Sequence, residues 1–61
     1  MNDYQTAISE LSLSGCIGLS RCSRSTVYRW AKAINEILER EHYDWRVKVN
    51  YKEKALYVAN I

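Results

Sequence analysis

Along the chain, the spacing of apolar residues changes character more than once. Tyr4, Ala7, Ile8 and Leu11 recur three to four positions apart, on one side of a helix, which predicts a first helix over about 3–11 with Asn2 or Asp3 as its cap. Leu11-Ser12-Leu13-Ser14 alternates instead and reads as a short extended connection ending in an N-cap at Ser14. A second, weak helix is predicted over about 15–21, burying Cys16, Ile17 and Ser20, although Gly15 and Gly18 each cost it about 1 kcal/mol against Ala. Ser23 is a further N-cap. After it Val27, Trp30, Ala31, Ile34, Ile37 and Leu38 form a broad stripe that predicts a third helix over about 24–41. From Trp45 the period becomes two, with Trp45, Val47, Val49 and Tyr51 against Arg46, Lys48, Asn50 and Lys52. The turn Lys52-Glu53-Lys54 and the run 55–59 complete an antiparallel hairpin.

The expected fold is therefore α+β, three helices followed by a C-terminal β-hairpin, in one domain spanning 1–61. A chain of 61 residues has a small core, and most of its large apolar residues are needed to fill it. Trp30 and Trp45 are accordingly expected in packing rather than in a ligand pocket. Pro is absent and no stretch approaches the roughly 20 apolar residues of a membrane span. The start lacks the basic segment and apolar run of a signal peptide. Cys16 and Cys22 are expected to be reduced and packed, in a cytoplasmic protein. With His42 they are too few for a zinc site. No catalytic set or cofactor motif is present, so an enzyme is not expected.

Net charge is only +2, but it is segregated. Residues 21–32 hold Arg21, Arg24, Arg29 and Lys32 with no acid, and residues 45–54 hold Arg46, Lys48, Lys52 and Lys54 against Glu53. Glu36, Glu39, Glu41 and Asp44 fall between them. Two separated basic segments suggest two contact points for a polyanion.

Residues 11–30 resemble the helix-turn-helix of bacterial and phage regulators, through Ser14, Ile17, Arg21, Cys22, Ser23 and Val27, most closely over Ser23-Arg24-Ser25-Thr26-Val27-Tyr28-Arg29-Trp30. With the hairpin, the order of elements is similar to that of winged helix-turn-helix proteins. Two residues depart from that pattern. Arg21 stands where Gly is usual, in a backbone conformation that costs a non-Gly residue about 1–2 kcal/mol, and Ile17 stands where Ala is usual.

The resemblance implies sequence-specific binding of double-stranded DNA by a regulator of a phage or mobile element, acting as a homodimer or cooperative oligomer. Arg24, Ser25, Tyr28, Arg29 and Lys32 would point into the major groove, with Ser25 and Thr26 suited to phosphate. Arg21 belongs to the same basic segment. Arg46, Lys48, Lys52 and Lys54 would place the hairpin on backbone or minor groove. Two alternatives stand beside this reading. One is a DNA-binding accessory factor for recombination, conjugation or replication; the other is a protein-binding module that inhibits a host factor.

Overall fold

The structure, a computed structural model, describes residues 3–60; Asn2 and Ile61, and the side chains of Asp3 and Asn60, lie outside what is described. The elements are helix α1 (Asp3–Ser14), strand β1 (Cys16–Gly18), helix α2 (Arg24–Arg40) and strands β2 (Trp45–Asn50) and β3 (Ala55–Asn60). The fold is thus α+β, with two helices among the described residues and a three-stranded antiparallel sheet of order β1-β3-β2.

The expected second helix is replaced by strand and turn. Helix α1 does not stop at Leu11 but continues through Ser14, leaving Leu13 on its outer side at 87% exposure. Gly15 ends it: at φ +83° its N–H donates to the Leu11 carbonyl at 2.9 Å, the left-handed stop for which Gly has no Cβ penalty. The chain then leaves extended and pairs with β3, Ile17 opposite Leu56. Cys16, expected inside, lies exposed because strand alternation turns it away from Ile17 and the helices, and Ser20 is exposed in the following turn. That turn is closed by the Cys22 N–H on the Leu19 carbonyl at 3.0 Å. Arg21 sits in it without a positive φ, so the cost anticipated for a left-handed Arg21 does not arise.

Helix α2 follows its sequence signal closely. Ser23 caps it, its hydroxyl accepting from the Thr26 N–H at 3.3 Å. Val27, Ala31, Ile34 and Leu38 are its buried stripe. At its other end His42 takes φ +63°, its N–H donating to the Glu39 carbonyl and the Tyr43 N–H to the Leu38 carbonyl, the paired bonds of a Schellman stop.

The core joins Ala7, Ile8 and Leu11 of α1 to the α2 stripe and to Val47 and Leu56 of the sheet. Leu11, Ile34, Leu38 and Leu56 are almost fully buried, each stabilising the fold by about 1.5–3 kcal/mol relative to exposure. Trp30 and Trp45 pack at its margin, Trp30 edge-on to Tyr4 and Trp45 edge-on to Tyr43, at centroid distances of 4.9 and 5.5 Å. Both cysteines are free thiols. No helix among the described residues is long and apolar enough to cross a membrane.

Candidate nucleic-acid interface

Because the α2 stripe faces the core, helical geometry turns Arg24, Ser25, Tyr28, Arg29 and Lys32 outward, and all five are exposed. No hydrogen bond or ion pair within the described residues engages the charged ends of Arg24, Arg29 and Lys32. Ser25 and Thr26 are partly committed to the cap: the Ser23 hydroxyl lies 3.2 Å from that of Ser25 and 3.0 Å from that of Thr26. Arg21 is exposed in the turn just before the helix.

The basic residues of the hairpin divide into two groups. Lys48 and Lys52 are exposed. Arg46 is half-buried, and its Nη1 donates to the carbonyls of Tyr43 and Trp45, both at 2.7 Å, so it ties the loop after α2 to the start of β2. Lys54 is also half-buried; it takes φ +50° in the turn, and its carbonyl accepts from the Leu19 N–H at 2.8 Å. The Glu53 N–H donates to the Asn50 side chain at 3.2 Å, which helps fix the turn.

What the pattern along the chain does not show is how α2 and β2 meet. The loop at 41–44 reverses the chain, so β2 runs back alongside α2. One side chain pins the two together: Asn35 donates from Nδ2 to the Val47 carbonyl at 3.1 Å and accepts the Val47 N–H on Oδ1 at 2.8 Å. Since β2 is an edge strand, this amide occupies the place that a further strand would take.

On the solvent side of this pin lies a groove of about 610 Å³ between helix and strand. Its floor is apolar, from Ala31, Val47 and Val49. Tyr28, Lys32, Lys48 and Tyr51 rise around it, together with the acids Glu36 and Glu39 and with Arg46. The order along the groove follows from the pin. From Asn35 back to Tyr28 is about 10 Å of helix, and from Val47 on to Asn50 is about 10 Å of strand, so Tyr28 and Lys32 lie toward the hairpin turn. Glu39 and Arg46 lie at the opposite end. The groove therefore has an aromatic end with Lys32, while Glu36 lies near its middle and Glu39 stands with Arg46 at the other end.

Of the residues expected to bind on the two basic segments, Tyr28 and Lys32 of α2 and Arg46 and Lys48 of β2 thus come to border one groove. Asn35 carries no signal as part of a site in the sequence, and Tyr51 reads there only as a partly exposed hairpin aromatic, because the place of each depends on the pairing of α2 with β2. No group of three or more His, Cys, Asp or Glu placed to hold a metal ion occurs among the described residues. Comparison with family models, with curated proteins and with solved structures finds no match to the chain.

Proposed function

We propose that the protein is a sequence-specific duplex DNA-binding domain of winged-helix type, reduced so that a short strand and the turn at 19–22 stand where a bracing second helix would be. The observation that carries this reading is the outward face of α2, where Arg24, Ser25, Tyr28, Arg29 and Lys32 are all exposed and the cationic ends have no intramolecular partner. An α-helix of about 10–12 Å diameter fits a major groove about 12 Å wide. Packing against α1 through Tyr4 and Trp30, and against β2 through Asn35, supports α2 from behind.

In this reading Arg29 and Arg24 read base edges, each bidentate contact to guanine being worth about 1–3 kcal/mol of discrimination. Lys52 at the hairpin turn and Arg21 before the helix contact phosphate. Glu36 and Glu39 repel the backbone, so only the first turns of α2 insert.

The test is selection from a random duplex pool, followed by titration of the enriched sequence against scrambled DNA at two salt concentrations. A selected motif whose preference Arg29→Ala erases supports base reading by α2. An Arg29→Ala protein with undiminished preference excludes it, and absence of any enriched duplex removes DNA from the function.

A further inference from the structure

We propose that the hairpin-proximal half of the groove between α2 and β2 binds an unpaired nucleic-acid strand, so that the molecule binds best where a duplex opens into single strand. The inference rests on the nucleic-acid reading above and adds a second site to it.

Tyr28 and Tyr51 come from a helix and a turn distant in sequence, yet both border this groove at 59% and 55% exposure. Two large aromatic rings left in water above an apolar floor are suited to stacking on a planar ligand. Lys32 of α2 and Lys48 of β2 both border the groove, and neither is held by an ion pair within the described residues. Aromatic rings interleaved with free cations are what an unpaired strand requires: its bases stack, its phosphates are neutralised, and sequence matters little.

The same geometry blocks strand addition at the middle of β2. An extended peptide recognised by strand addition needs the outward N–H and C=O groups of the edge strand. At Val47 in β2 both are already taken by Asn35. Beside the blocked position, the groove offers stacking and charge for recognition.

The two carboxylates limit the site. Glu36 and Glu39 repel phosphate, so a strand enters only from the hairpin end. Lys32 belongs both to the outward face of α2 and to the groove wall, so the duplex and the unpaired strand approach adjacent surfaces. A duplex end or fork satisfies both together.

The experiment compares three labelled DNAs by fluorescence anisotropy: a blunt duplex, the same duplex with a short unpaired overhang of either polarity, and the unpaired strand alone. The overhang duplex is expected to bind about tenfold more tightly than the blunt one, the range for a stacked base. Tyr51→Ala, at an exposed position, is expected to abolish that gain while leaving blunt-duplex affinity where it was, and Tyr51→Phe to keep it. Equal affinity for blunt and overhang duplexes overturns the groove site alone. So does a Tyr51→Ala protein that weakens on all three DNAs alike. Failure to bind any of the three overturns this site and the proposed function together.

Discussion

At the scale of single residues, the backbone is most demanding where a helix must stop. Gly15 and His42 end α1 and α2 with the same left-handed step, at φ +83° and +63°. Glycine adopts it without penalty; histidine does not, at a cost of about 1–2 kcal/mol. No hydrogen bond, ion pair or ring contact of the exposed His42 side chain offsets this within the described residues. His42→Gly is therefore expected to stabilise the fold by about 1 kcal/mol, part of the gain being lost to the greater freedom of Gly in the unfolded chain. In a domain of this size that raises the melting temperature by about 4–8 °C, measurable by circular dichroism. A variant that melts no higher would show that the strain at His42 is relieved elsewhere. Capping also shows how local signals can be read correctly or misassigned. Ser23 declares itself by its place before a strong stripe. Gly15 is equally informative, but beside Ser14 and Gly18 it resembles the start of a coming helix, which conceals the end of the preceding one.

At the scale of elements, α2 and the hairpin were legible because each buries one face and keeps the other wet, so period and polarity agree. The segment 11–18 offered no such agreement. Leu13 is apolar and yet almost wholly exposed, which gave a helical turn the alternation of a strand. Strand β1 has only three residues and one partly buried side chain, Ile17, too little for any period to register. It is a strand because β3 has a second edge to pair, a long-range cause absent from local sequence. The contact of α2 with β2 was hidden in the same way, since it depends on Asn35, a polar residue on a helix flank. Its amide satisfies both outward groups of Val47, so Asn35→Ala leaves a partly buried donor and acceptor to water or to nothing. We expect a loss of about 1–3 kcal/mol in urea unfolding. Amide hydrogen exchange at Val47 should accelerate markedly, while exchange at Leu56 on the central strand follows only the global change. Unaltered protection at Val47 would mean that Asn35 does not hold the strand edge in solution.

At the scale of the whole molecule, size constrains how the proposed DNA reading can operate. The described fold measures 28 × 27 × 19 Å. Duplex DNA rises about 3.4 Å per base pair, so a face at most 28 Å long covers about eight base pairs, and the few side chains on the first turns of α2 reach fewer. An interface that small is at the low end of single DNA-binding modules, and specific sites are ordinarily bound through more surface. The charge distribution points the same way. The sequence carries only +2 overall, with the cations of α2 and the hairpin set against Glu36 and Glu39 between them, so few phosphates can be neutralised by one copy. If the proposed DNA reading holds, we expect affinity to come from a second copy on the same DNA. Under this reading the enriched sequence should contain two half-sites, centred one helical turn or about 10–10.5 base pairs apart, or a multiple of it. Band-shift titration should show two copies binding, the second more tightly than the first. Inserting about five base pairs between the half-sites rotates them to opposite sides of the duplex and should abolish that cooperativity while leaving single-copy binding intact. Tight binding of one copy to one short site, unaffected by the insertion, would mean that the small face of α2 and its hairpin suffices alone.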